Sequence, residues 1–165
     1  MNQTKLILLV LLFPMFCIGQ TRDLSAFRDL VDKTWSAEGK WEIGTEFKQD
    51  ISFHYDLENT VVITNSKGFV DKEQTKYGNR NHGIRQYDKE SKSIRFWEFD
   101  VYGNVTTGTV ITQGKNILYQ YKYGDDMVTD MWEYVDESTY NFKVGTYING
   151  KWEKLFLNTI FKEKR

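Results

Sequence analysis

Between Trp35 and Phe161 turn signals recur about every ten residues, and the segments between them alternate apolar and polar side chains. Residues 45–55 show the alternation best. Phe47, Gln49, Ile51, Phe53 and Tyr55 fall on one face, and Glu46, Lys48, Asp50, Ser52 and His54 on the other. A period of two belongs to a half-buried strand. Similar segments follow at 61–66, 69–77, 81–88, 93–100, 105–112, 117–123, 127–134, 140–148 and 151–161. They are separated by Glu58-Asn59, Lys67-Gly68, Tyr102-Gly103-Asn104, Gln113-Gly114-Lys115-Asn116, Gly124-Asp125, Asp136-Glu137-Ser138 and Asn149-Gly150. Asn149-Gly150 is the strongest hairpin signal, because a type I′ turn needs positive φ at both central residues. With a first strand over 35–41, the pattern predicts about ten antiparallel strands.

A helical period occurs once. Leu24, Phe27, Leu30 and Val31 recur at helical spacing, with Asp23 or Ser25 available as a cap. One short helix is expected there, its apolar stripe laid over an opening in the sheet. The expected fold is therefore all-β: an up-and-down antiparallel β-barrel of about ten strands with one short N-terminal helix, closed so that no edge is exposed. An open β-sandwich is the alternative.

Residues 1–19 read as a signal peptide. Lys5 supplies a positive start, an apolar run extends to Ile18, and Cys17 and Gly19 are small residues before Gln20. The run is short for a bilayer span, so an uncleaved anchor is the lesser reading. Phe16 before Cys17 argues against a lipoprotein signal. Export to the periplasm or the outside is expected, with no stable membrane insertion after cleavage. Residues 20–165 then form a single domain. The only cysteine, Cys17, and the only proline, Pro14, leave with the signal. The remaining chain has no disulfide, thiolate metal site or catalytic cysteine and must rely on its core. The formal charge of −1 becomes one unit more negative without Lys5, which gives no electrostatic reason to expect nucleic acid.

The leading helical segment running into Trp35, Gly83-Ile84-Arg85, Phe96-Trp97-Glu98-Phe99-Asp100 and Thr129-Asp130-Met131-Trp132 together carry a resemblance. The chain resembles the calycin group (lipocalins, fatty-acid-binding proteins and nitrobindin-like barrels), and in particular secreted bacterial lipocalin-like domains of unknown function. The resemblance covers most of residues 20–165 and implies a barrel that binds a small, partly apolar ligand. Three departures limit it. Lys33 stands where a lipocalin has the glycine of Gly-x-Trp. Residues 140–161 lack the histidine of a haem-binding barrel. Arg85-Gln86-Tyr87 has the spacing of a fatty-acid carboxylate clamp but lies on a different strand. No cofactor is expected.

Residues 80–100 concentrate charge between apolar positions. Pairing 81–88 with 93–100 about Glu90-Ser91 puts Gly83, Arg85, Tyr87, Ile94, Phe96 and Glu98 on one face, and His82, Ile84, Gln86, Arg95, Trp97 and Phe99 on the other. Carried through the next hairpins, the second face gains Gly108, Val110, Ile117, Tyr119, Tyr121, Tyr123, Val128, Asp130, Trp132 and Tyr134, then Tyr140, Phe142, Val144, Leu155 and Leu157. It is the richer in aromatics and is expected to be the interior. Arg95, His82 and Asp130 would then point inward beside Trp97, Tyr119, Tyr121 and Trp132. Arg95 would hold an anion or pair with Asp130 in a filled barrel. The opposite face would nominate Arg85 and Glu98.

His54 and His82 are the only histidines, and no ligand spacing for a metal accompanies them. No nucleophile elbow, phosphate loop or dinucleotide fingerprint occurs. The expected function is non-catalytic binding of a small ligand. The alternatives are an interaction module that contacts glycan or protein through Trp41, Tyr102 or Trp152, and a small hydrolase or isomerase with its site inside the barrel. Ligand identity and oligomeric state stay open.

Overall fold

A computed structural model describes residues 24–164. Ten strands follow one another: β1 (Lys33–Lys40), β2 (Glu46–Asp56), β3 (Val61–Phe69), β4 (Tyr77–Asp88), β5 (Ser93–Asp100), β6 (Val105–Gln113), β7 (Asn116–Tyr123), β8 (Asp126–Asp136), β9 (Thr139–Ile148) and β10 (Lys151–Glu163). Each pairs antiparallel with its neighbours in sequence, and β1 closes on β10 through Trp35 opposite Glu163 and Ser36 opposite Lys162. The all-β, up-and-down closed barrel is the expected architecture. Asn149 and Gly150 take φ of 51° and 81° at the β9–β10 turn, as a type I′ hairpin requires. The expected signal peptide and Asp23 lie outside the described residues.

The leading helix is smaller than its period suggested. Only a 3-10 turn forms, Ser25–Phe27, preceded by Leu24 with no side-chain cap. The chain must reverse into β1 almost at once: Asp32 adopts φ of 59° and its N–H donates to Phe53 O at 3.0 Å. The apolar stripe is nevertheless used. Leu24, Phe27 and Leu30 are buried across one end of the barrel. Trp35 Nε1 donates to Leu30 O at 3.0 Å and Tyr55 Oη to Leu24 O at 3.0 Å, fastening the segment to the wall.

Lys67-Gly68 is not a turn. β3 runs through it, and the chain reverses over residues 70–76 instead. A Cβ on Gly68 would lie 2.9 Å from Arg80 Cδ, so the glycine makes room for the arginine at the β3–β4 irregularity. Gln74 holds the 70–76 loop against β2, donating from Nε2 to Glu46 O at 2.6 Å and accepting from Glu46 N at 3.1 Å.

The β5–β6 hairpin corrects the choice of interior. Phe96 stands opposite Gly108 and Ile94 opposite Val110, so the aromatic face of β6–β9 continues into Arg85, Phe96 and Glu98. Asp100 causes this. Its Oδ1 accepts from Tyr102 N at 2.9 Å and Asn104 N at 2.8 Å, its Oδ2 accepts from Asn104 Nδ2 at 2.9 Å, and Gly103 takes φ of 84°. Asp100 N also donates to Asn104 O at 3.0 Å, which leaves only residues 101–103 in the loop. A one-residue difference in a hairpin exchanges the faces of everything beyond it. Leu155 is also turned outward, by the β10 irregularity between Leu155 and Leu157. Asp100→Ala removes three accepted bonds and is expected to lower stability by about 1–2 kcal/mol. Urea unfolding reads this directly, and an unchanged midpoint would remove Asp100 from its role as the pin of the loop.

The five hairpins β1–β2, β3–β4, β5–β6, β7–β8 and β9–β10 lie at the end of the barrel opposite the 3-10 turn. One end is thus stoppered by Leu24, Phe27 and Leu30, and access to the interior is from the other.

Candidate functional site

The interior divides into an apolar floor and a polar wall. Trp132 is the centre of the floor. It stacks on Phe161 with centroids 4.4 Å apart and meets Phe53, Phe142 and Tyr140 edge-on at 5.4–5.8 Å. Trp35 adds an edge contact at 6.4 Å, next to the stopper. Together these rings fill the closed end.

β3, β4 and β5 bring polar side chains to the same interior. Arg85 is only 4% exposed. Its Nη1 donates to Thr64 Oγ1 at 2.6 Å, its Nε donates to Tyr119 Oη at 3.2 Å, and its guanidinium carbon lies 5.0 Å from the Tyr119 ring centroid. Nη1 also stands 2.9 Å from Glu98 Oε2. This contact is an ion pair at hydrogen-bond distance, so Glu98 Oε2 is held by Arg85. Gly83 makes the pair possible. A Cβ there would overlap Arg85 Nη1 and Glu98 Oε2 and come within 2.5 Å of Thr64 Oγ1. Tyr119 and Glu98 hold Arg85 protonated above its ordinary range despite burial.

Asp130 faces this group from β8. Its Oδ1 accepts from Tyr121 Oη at 3.1 Å, the one hydrogen bond of its side chain. Burial pushes the Asp130 carboxyl up to about 7. The Tyr121 bond and the Arg85 guanidinium oppose that rise, and the Glu98 carboxylate adds to it. Burial, with Asp130 next to it, also raises the Tyr121 phenol. Phe96 packs edge-on against both Tyr119 and Tyr121, at 5.2 and 6.1 Å, and so sets the rotamers that present their hydroxyls.

A cavity of about 220 Å³ lies between wall and floor, lined by Arg85, Glu98, Tyr119, Tyr121, Asp130 and Trp132, with Gln49, Asn81, Thr106 and Phe142 among the remainder. Among the described residues, Asn81 Oδ1 in its lining and nearby Ser66 Oγ are buried with no hydrogen-bond partner, and Glu98 Oε2 has only its ion pair with Arg85. Buried polar atoms are normally satisfied, so their concentration in one place marks a point where something polar is met. Gln49 also lines a hollow of about 310 Å³ at the open end, among Trp41, Phe47, Phe69, Arg80 and Tyr102.

Six of the nine residues singled out from the sequence meet here: Arg85, Glu98, Tyr119, Tyr121, Asp130 and Trp132. Arg95, Trp97 and His82 do not, since they lie on the alternate, outer face of β4 and β5. Arg95 Nε donates to Gly108 O at 3.0 Å, and His82 Nδ1 is 2.9 Å from Asn65 Oδ1. Arg95 therefore meets neither Asp130 nor the cavity. A wider groove of about 1000 Å³ runs over the outside of β2–β5 and includes His82. Its Asp50 is already paired with Lys164 at 2.9 Å and His82 with Asn65, while Asn81 and Ser66 line it as well, so that Asn81 stands between groove and interior. Asn81, Gln49 and Thr106 were not singled out. Gln49 carried a signal, as the one polar residue in the apolar stripe of β2.

Of the rim aromatics, Trp41 packs edge-on against Phe47 at 5.7 Å, Tyr102 lies beneath Arg80 at 5.5 Å, and Trp152 rests on Tyr147 at 4.8 Å. Among the described residues no group of three or more His, Cys, Asp or Glu is placed to hold a metal ion. Comparison with protein-family models and with curated proteins returns no match to this chain.

Proposed function

We propose that the barrel is a binding protein for a small, compact, partly apolar ligand, received in the interior cavity through the hairpin end. The observation that carries this is the meeting of the unspent Asn81 Oδ1 and the Asp130 carboxyl with aromatic surface from Trp132 and Phe142 in one cavity. Apolar walls with a few convergent polar groups are the usual form of a small-molecule site. The volume of about 220 Å³ lies below the roughly 300–1,000 Å³ of drug-sized pockets, which favours a ligand of about ten heavy atoms. The closed ten-strand barrel is compatible with a calycin-like protein. Export by residues 1–19 belongs to the same proposal, and N-terminal sequencing of the mature protein should begin at Gln20.

Native mass spectrometry of the protein from its own source tests the binding reading. A retained small molecule is expected, and Thr106→Trp, which fills the cavity from β6, should abolish it. A clean protein mass together with no saturable shift in a fragment titration would defeat the reading.

One observation favours a second function. A carboxyl held near neutrality beside a cavity can exchange protons with a bound molecule, as a general acid or base does. Asp130→Asn should then retain a molecule of different mass from the one wild type retains. Identical masses argue for binding alone.

A further inference from the structure

Given a binding cavity, on which this inference rests, its charge says what class of ligand it takes. The charged groups lining it are one guanidinium, Arg85, and two carboxyls, Glu98 and Asp130. Arg85 is already committed to Glu98, Thr64 and Tyr119. Among the described residues no cation pairs with Asp130, and the one hydrogen bond of its side chain is from Tyr121. From the other elements around Asp130, β9 offers Val144 and Phe142, which are apolar. β7 offers Tyr119 and Tyr121, β5 offers Glu98, and β4 offers Arg85. The side that lacks a partner is thus the negative one. The acceptor positions without a partner among the described residues are Asp130 Oδ2 and Asn81 Oδ1, while Glu98 Oε2 is held by Arg85.

We propose that the cavity takes a compact primary amine, its ammonium group received among Asp130, Glu98 and Asn81 and its apolar body against Trp132 and Phe142. Its N–H donors find the Asp130 and Asn81 acceptors in one cavity, with the Glu98 carboxylate beside them. An anion finds the opposite: the one guanidinium is already paired with Glu98, and a second carboxyl, Asp130, faces the same cavity. A neutral alcohol can use the acceptors but leaves the second carboxyl without a counter-charge.

Proton balance supplies the signature. Below its raised range Asp130 carries a proton. An incoming ammonium ion pairs with the carboxylate form, so binding ionises Asp130 and releases that proton to solvent, while the amine keeps its own. Affinity should fall about tenfold per pH unit below about 7 and level off above it.

Three probes of one shape decide the matter: benzylamine, benzyl alcohol and benzoate, titrated into the folded protein and followed by NMR at the Trp132 indole. Benzylamine should bind saturably at pH 8, weaken about tenfold between pH 6 and pH 5, and outbind the other two by at least tenfold. Asp130→Asn, which keeps the shape and the Tyr121 hydrogen bond, should remove both the preference and the pH dependence. Equal or tighter binding of benzyl alcohol or benzoate overturns the amine and leaves the binding function standing. Binding of none of the three overturns the amine as well, and with a clean native mass spectrum it also removes the binding function.

Discussion

Replacing Glu98 with alanine should destabilise the barrel by about 3–5 kcal/mol, the range for breaking a buried ion pair by deleting one partner. Arg85 is almost wholly buried, and its pairing with Glu98 offsets the loss of water around the guanidinium. Thr64 and Tyr119 accept two of its N–H groups but carry no charge to replace the carboxylate. Gly83→Ala should cost a similar amount through a different atom, since its methyl would occupy the space that Arg85, Glu98 and Thr64 fill. The double variant Arg85→Met/Glu98→Leu separates charge from packing. With both ions gone no charge is left uncompensated, and the loss should be well under that of either single change. Urea unfolding of the four proteins checks this. A Glu98→Ala loss under about 1 kcal/mol, as for a surface pair, would show that the interior is wetter than its burial indicates.

That pair also shows where legibility from the sequence ended. The alternation that placed Phe47, Ile51 and Phe53 together, and Tyr119, Asp130 and Trp132 together, is a local property and is found in the structure. The grouping of Arg85 with Glu98 was local too, because the β4–β5 register follows from the turn about Glu90-Ser91. What could not be read was how these groups join. The link passes through a loop whose length depends on the Asp100 side chain accepting from Asn104 rather than solvent. Counting aromatics chose the correct face of β6–β9 and attached it to the wrong face of β4–β5. Arg95, His82 and Trp97 were carried inward by that one residue. Lys67-Gly68 misled for a related reason. Glycine marks turns through its backbone freedom, but Gly68 is needed for the absence of a side chain beside Arg80, a tertiary fact. Asn81 became visible as a site residue only once the register had set it opposite Ser66 and Asp100.

Asp130 should give the protein an unusual dependence of stability on pH. Its ordinary value is 3.8 and its folded value about 7, so the folded state holds a proton that the unfolded chain gives up across this window. Below 3.8 both states are protonated and Asp130 contributes nothing. As pH rises from there, stability falls by about 1.4 kcal/mol per unit until about 7, and then the loss stays constant at about 4 kcal/mol at most. Asp50, Asp100 and Glu133 act in the other direction. Hydrogen bonds and, for Asp50 and Glu133, lysine partners hold them below their ordinary values, so the stability they supply is lost as pH falls below about 4. Maximum stability is therefore expected on the acidic side, between the two limbs. Asp130→Asn should flatten the upper limb alone: more stable than wild type at pH 8, no more stable at pH 4. Denaturant unfolding across pH 3–9 measures both limbs, and parallel curves for the two proteins would show that Asp130 is not the group that titrates. A protein whose interior carboxyl destabilises it at neutral pH keeps that carboxyl against its own stability, and an ammonium-bearing ligand would return the lost stability by giving the carboxylate its missing counter-ion.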